Sequence, residues 1–219
     1  MIYVYGVMAA PAPVPDLVGV EDALVEATEV DGLTLALSRL GDEGPAPSDA
    51  AVLRHAEVVE ALARTGAAVL PARFGLAFAD DAALAEGVRE RRAALEAALA
   101  HVEGCVELGL RVLAPEPGHT AAGATGGGEY LRARLRETEA RERLATELHD
   151  ALAARSRDAQ RAAAADRWLL SSAYLVPVAE VEGFRWELEA LESSHPELEL
   201  LLTGPWPPYS FAPTEAGAT

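Results

Sequence analysis

The chain has 219 residues, half of them apolar, with 35 acidic residues set against 18 basic ones, all arginine, for a formal net charge of −17. That length suits one large or two small domains burying roughly 70% of the unfolded surface, and the apolar fraction excludes wholesale disorder. The negative charge repels phosphate backbones and anionic lipid, which disfavours a nucleic-acid or peripheral membrane role.

The opening run IYVYGVM (residues 2–8) is β-branched and aromatic and is followed by Pro11, Pro13 and Pro15, so it predicts a strand rather than a signal peptide. ALVEATEV and LTLALSRL flank Asp31-Gly32, a dipeptide that tolerates the positive φ of a two-residue hairpin turn. Ser48 is a candidate N-cap for a helix near 49–65 with Val52, Ala56, Val59 and Ala63 on one stripe. Together these predict a compact βββα domain over residues 1–66.

The largely apolar VLPARFGLAF (69–78) predicts a strand. Asp80 caps a helix carrying Leu84, Val88, Leu95, Leu99 and Val102 on one face, with Gly104 at the C-terminal cap position. CVELGLRVL (105–113) alternates as a half-exposed strand. Residues 114–128 are Gly/Ala/Pro-rich and predict a flexible loop. A long helix or helical hairpin is expected over 129–165, with a thin stripe of Leu131, Leu135, Leu144, Leu148 and Leu152. A central-type strand (168–177), a helix (180–194) with Phe184, Leu188 and Leu191 inward, and a last strand (198–203) complete the pattern. With the long helix set aside as an insertion, 67–211 reads as a split βαβ, or modified ferredoxin-like, domain. It would have 69–78 and 168–177 central, 105–113 at an edge, and a disordered tail over 212–219. The expected class is α+β with two domains.

Catalytic signatures are scarce. GATGGGE (123–129) lacks the Lys and Ser/Thr of a phosphate loop. His55 has Val, not His, four residues on, so a solvated helix face fits better than zinc binding. Cys105 is the single cysteine, which rules out an intramolecular disulfide and fits a reducing cytoplasm. No G-x-S-x-G elbow occurs, and no stretch is long and apolar enough to span a membrane. No enzyme activity, metal or cofactor is expected.

Three stretches stand out. YVYG carries Tyr3 and Tyr5, PARFG carries Arg73 and Phe74, and TGPWPPYSF (203–211) gathers Trp206, Tyr209 and Phe211 among three prolines. These seven are the candidate partner-binding or domain-clamping residues. Arg73, in a strand expected to be central, is read as ion-paired with Glu57 or Glu60, or else as an anchor for a partner's carbonyls or carboxylates.

These stretches, with HAEVVEAL, GCVELGLRV, EYLRAR and SSAYLVP between them, resemble in the same order the gas vesicle GvpF/GvpL family, over nearly the whole chain. The closing LLTGPWPPYSF is the most specific element, and Arg stands at 111 and 132 where the family commonly has Lys. The resemblance implies an accessory protein of gas vesicle formation, with an α+β N-terminal domain and a modified ferredoxin-like C-terminal domain. It implies no known catalytic activity or cofactor, partners among the hydrophobic shell protein and other accessory proteins, and a place in the cytosol or at the vesicle. The rival expectation is a ferredoxin-like small-ligand protein or enzyme with a site between its domains, for which a deep polar pocket would be the sign.

Overall fold

The structure, a computed structural model, describes residues 1–41, 44–115, 127–162 and 168–213. It divides into two compact units, Met1–Val106 joined by the segment from Trp206 onward, and Glu107–Pro205.

The first unit contains β1 (Ile2–Ala9), β2 (Glu26–Val30), β3 (Leu33–Arg39), α1 (Asp49–Ala63), β4 (Val69–Pro71), β5 (Ala77–Phe78) and α2 (Asp81–Val102). Its sheet runs β2-β3-β1-β4, with β5 also paired to β1. The β2–β3 hairpin turns on Asp31 (φ 48°) and Gly32 (φ 84°), as the Asp-Gly dipeptide predicts. Ser48 accepts a hydrogen bond from the Ala51 N–H at 3.2 Å and Asp80 one from the Ala83 N–H at 2.9 Å, so both expected caps form. Opposite β3 the register of β1 slips between Val4 and Gly6, leaving Tyr5 as the extra residue of a bulge. The bulge shifts the alternation by one. Tyr3 before it, Tyr5 within it and Met8 after it therefore share one core with Val58, Val59 and Leu62 of α1. The other set, Ile2, Val4 and Val7, is buried as well, so β1 is covered on both faces, and α2 packs against β1 and β4.

The second unit follows with β6 (Cys105–Leu113), α3 (Gly127–Ala153), β7 (Asp158–Arg161), β8 (Trp168–Pro177), α4 (Val181–Ser194) and β9 (Glu199–Trp206). That order is β-α-β-β-α-β and the sheet runs β7-β8-β6-β9, the ferredoxin-like arrangement. Leu108, Leu110 and Val112 of β6, Leu170, Tyr174 and Val176 of β8, Leu148 and Leu152 of α3, and Phe184 and Leu188 of α4 form its core.

The class is as the sequence predicts, but the strands are assigned differently. VLPARFGLAF is not a central strand of the ferredoxin-like sheet. A turn closed by the Leu76 N–H on the Arg73 carbonyl at 3.2 Å, with Gly75 at φ 94°, splits it into β4 and β5, and both pair with β1. Residues 105–113 lie between β8 and β9, not at an edge; their alternation reflects one face packed under helices and one less covered. The helix at 129–165 is no insertion. α3 is the first crossover helix of the motif, and within the same stretch DAQR forms β7, paired antiparallel to β8. Arg161 at the end of β7 reaches Glu142 of α3 through both nitrogens, at 2.8 and 3.1 Å, which helps hold so polar a strand in place. The division between units accordingly falls after Val106, not after residue 66. Residues 116–126 of the expected loop and 214–219 of the expected tail lie outside the described residues.

α3 is 27 residues long, about 40 Å at 1.5 Å per residue. Its inward side chains Ala145, Leu148 and Leu152 all lie in the last third, and no residue from 128 to 144 is buried. Leu148→Ala should therefore cost about 2–5 kcal/mol, whereas Leu135→Ala on the exposed half should stay within about 0.5 kcal/mol of the parent. Urea unfolding of the two variants checks this, and equal losses would contradict the packing described.

Candidate functional site

The segment singled out at the end of the sequence leaves the second unit at Pro205 and enters the first at Trp206. Its prolines fix the backbone, and a short 3-10 turn over Tyr209–Phe211 is closed by the Tyr209 N–H on the Pro207 carbonyl (2.8 Å) and the Phe211 N–H on the Pro208 carbonyl (3.2 Å). This turn packs against β4. Pro207, Pro208 and Phe211 are buried, and Tyr209 lies against the core that holds Tyr3 and Tyr5. Trp206 does not follow them inward. It remains 46% exposed at the end of β9, as does Leu201 (49%) further back along the same strand. Among the described residues β9 pairs only with β6 and so forms an edge of its sheet.

Tyr3 and Tyr5 are fully buried, which removes them from any partner's reach and makes them structural. Their hydroxyls need partners inside the fold, because an unpaired buried polar group costs about 1–3 kcal/mol. His55 supplies one. Its Nε2 lies 2.9 Å from the Ala72 carbonyl, which can only accept, so Nε2 carries the proton. Nδ1 is then an acceptor for the Tyr3 hydroxyl at 2.9 Å, and that hydroxyl's oxygen accepts the Gly75 N–H at 3.2 Å. A second chain runs from the Val20 N–H to the Tyr5 hydroxyl (2.9 Å), on to Ser38 Oγ (3.1 Å) and finally to the Leu24 carbonyl (2.8 Å). Gly19 is fixed by the same contact, since a Cβ there would overlap the Tyr5 hydroxyl. The rings complete the cluster edge-on, with Phe74 5.9 Å from His55 and 6.1 Å from Tyr3.

His55 is thus a core residue, not part of a solvated face. The buried stripe of α1 is His55, Val58, Val59 and Leu62, turned by one residue from the Val52–Ala56–Val59–Ala63 stripe expected, and Val52 is exposed. Both stripes have helical spacing; classing His as polar selects the wrong one. Burial lowers the His55 pKa and pushes that of Tyr3 up to about 12, so both stay neutral at physiological pH.

Arg73 is not buried in a strand. It sits on the exposed turn between β4 and β5, and the carboxylates expected to pair with it are taken by their own helix, Glu57 by Arg54 (2.9 Å) and Glu60 by Arg64 (3.5 Å). Of the seven candidates, the structure gathers Tyr3, Tyr5, Phe74 and Tyr209 into one core, buries Phe211, and leaves Arg73 and Trp206 at the surface.

The second unit has its own polar cluster, which the sequence did not reveal. His149 Nδ1 lies 3.1 Å from the Tyr174 hydroxyl and 3.2 Å from Ser172 Oγ. Ser172 and Tyr174 are buried within β8, so a substrate carbonyl has no approach to the Ser172 hydroxyl. A concavity of about 440 Å³ in the first unit is lined mainly by small apolar residues, among them Ala9, Pro11, Ala12, Ala67, Ala68 and Ala100, with Glu96 and Glu103 as its charged members. Among the described residues no group of His, Cys, Asp and Glu is placed to hold a metal ion, and no helix is long and apolar enough to cross a membrane.

Comparison with known proteins agrees with this architecture. The family model for gas vesicle synthesis protein GvpL/GvpF matches residues 1–213. The chain belongs to the GvpF/GvpL family. It is 30% identical over 188 residues to gas vesicle protein F2 of Halobacterium salinarum, covering 85% of this chain and 79% of that one. It is 33% identical over 183 residues to gas vesicle protein L of a Streptomyces species, covering 72% and 67%. The crystal structure of GvpF from an Anabaena species superposes with a TM-score of 0.84 at 19% identity, over 98% of each chain. As a GvpF/GvpL protein the chain takes part in gas vesicle formation, and the likeness to GvpF at such low identity lies in the fold.

The His55 network gives a test within this GvpF/GvpL chain. The His55 pKa is lowered by burial, so on acidification the unfolded state takes up the proton first. Its contribution to stability is complete above the unfolded value of 6.5 and is lost as the pH falls through the lowered folded value. His149 is lowered too, again mainly by burial, and adds to the same trend. His55→Leu should be less stable at neutral pH by about 1–3 kcal/mol, since it leaves the Tyr3 hydroxyl proton without an acceptor and the Ala72 carbonyl without the imidazole N–H. It should also flatten the decline of stability between neutral and mildly acidic pH. Thermal melts across that range decide the point; an undiminished slope in the variant would show that His55 is not the titrating group.

Proposed function

We propose that the chain is a non-enzymatic assembly factor of gas vesicles that binds the hydrophobic shell protein and other accessory proteins of the vesicle. Family membership supports the setting. The observation that carries the reading is the edge strand β9, which presents Leu201 to solvent and, among the described residues, is paired on one side only. An exposed edge with apolar side chains is the surface on which an extended partner segment adds by main-chain hydrogen bonding. Pro205 within β9 has no N–H to offer, which limits indiscriminate pairing along that edge. In this reading Leu201, on the outer face of β9, marks the docking edge, while Trp206 offers exposed ring area at the start of the segment that Pro207, Pro208, Tyr209 and Phe211 fasten to the first unit. The charge of −17 keeps such a surface soluble while it handles an apolar partner. Arg73, exposed beside the half-buried Phe74, is a further contact for carboxylates or carbonyls of a partner.

The two roles separate by mutation. Phe211→Ala should cost about 3–5 kcal/mol of stability, the loss typical of a buried ring. Trp206→Ala should cost less than about 1 kcal/mol, because the ring is already half in water. Co-expression with the shell protein then reads function. The parent chain should keep the shell protein soluble and co-purify with it, and the folded double variant Leu201→Glu/Trp206→Ala should do neither. A parent that ignores the shell protein would overturn the assignment; a double variant that captures it as well as the parent would remove the β9 edge as the site.

A further inference from the structure

Two patches on the second unit expose large apolar side chains. The first lies on the exposed half of α3, in the stretch YLRARLR (130–136), where Leu131 and Leu135 are one turn apart and both exposed. At 100° per residue Arg134 lies on one side of this leucine pair and Arg132 and Arg136 on the other. In a chain with 35 acidic residues, none of these three arginines is in an ion pair among the described residues, whereas Arg39, Arg54, Arg92 and Arg161 all are. The second patch lies on the outer face of α4. Trp186 points directly away from the inward Phe184 and Leu188 and is 70% exposed. Glu182 and Glu189, both exposed, lie one turn to either side of it, and among the described residues neither is paired.

We infer that these patches dock on one another between two copies of this chain, the leucine–arginine face of α3 from one copy lying on the tryptophan–glutamate face of α4 from the other. Each patch is apolar at its centre and charged at its flanks, and the charges are opposite. An arginine brought over the Trp186 ring would add a cation–π contact, worth most when both are desolvated. Within one copy α3 and α4 pack side by side. A two-fold arrangement in which each copy's α3 patch meets the other's α4 patch closes the assembly as a dimer. The contact is independent of the β9 edge, so the shell-protein reading can fail without affecting it.

Sedimentation of the full chain over a range of concentration and salt tests the inference. The parent should form dimers that dissociate on dilution and weaken as salt rises, because flanking charge pairs are screened. Trp186→Ala should raise the dissociation constant about tenfold or more, as expected of a central aromatic anchor. Reversing Arg132, Arg134 and Arg136 to Glu should abolish dimers, and adding Glu182→Arg and Glu189→Arg to that variant should restore them. All these positions are exposed, so circular dichroism and melting should match the parent, and Leu201→Glu/Trp206→Ala should dimerise normally. A parent that stays monomeric to its solubility limit, dimers indifferent to Trp186→Ala and the reversals, or a charge swap without rescue would each overturn the contact.

Discussion

The first unit depends on a buried imidazole held between a tyrosine hydroxyl and a main-chain carbonyl. β1 is covered on both faces, so every polar atom it carries inward has to find a partner there. Tyr3 finds His55 of α1, and His55 in turn holds Ala72 in the turn that follows β4. One neutral side chain with two opposed hydrogen-bonding atoms thereby ties a strand, a helix and a turn that are far apart in sequence. Replacing it by an apolar residue of similar size keeps the volume but strands two polar groups. The bulge at Tyr5 belongs to the same device, since without it Tyr5 and Met8 could not both reach the α1 side of the sheet. Tyr5 then fixes the segment before β2 through Val20 and the strand β3 through Ser38.

Features governed by local chemistry were legible in the sequence. The Asp31-Gly32 turn, the Ser48 and Asp80 caps and the apolar faces of α2 and α4 depend on neighbours within one turn or one hairpin, and all appear where expected. What escaped was set by tertiary partners. DAQR has no apolar alternation, and it is a strand because β8 offers a ladder and Arg161 reaches Glu142. VLPARFGLAF has the apolar run of one strand, yet the positive φ at Gly75 breaks it, and β1 provides room for two short pieces. Assigning it whole to the second sheet left α3 without a role, which is why the helix looked like an insertion. At the candidate site the rings were found but their fates were not, because nothing local distinguishes Trp206, which stays in water, from Phe211, which does not.

Most acidic residues lie on helix surfaces or strand ends, and most observed pairs, such as Arg39 with Asp81 at 2.8 Å, are exposed and screened by solvent. They hold little of the fold together. The excess of acid acts instead on the chain's relations with its surroundings, by favouring solubility and repelling other polyanions. Against that background an uncompensated group of arginines beside exposed leucines is conspicuous. Helix propensity alone cannot explain it, because Ala, Glu or Gln would extend the free half of α3 as well without exposing apolar surface.

The same reasoning bears on Trp206. An exposed indole on a loose tail would lose rotational freedom on binding, and that loss would offset much of the contact it makes. Here Pro205 and Pro207 flank it, and the buried Pro207, Pro208 and Phe211 anchor the residues that follow. Most of the ordering cost has therefore been met in folding, before any partner arrives. A ring placed in this way keeps a larger share of the hydrophobic gain from each contact. Five residues back, Leu201 lies on β9 where that strand pairs with β6. Under the proposed role, an apolar partner meeting Trp206 would thus encounter a ring that folding has already set in place.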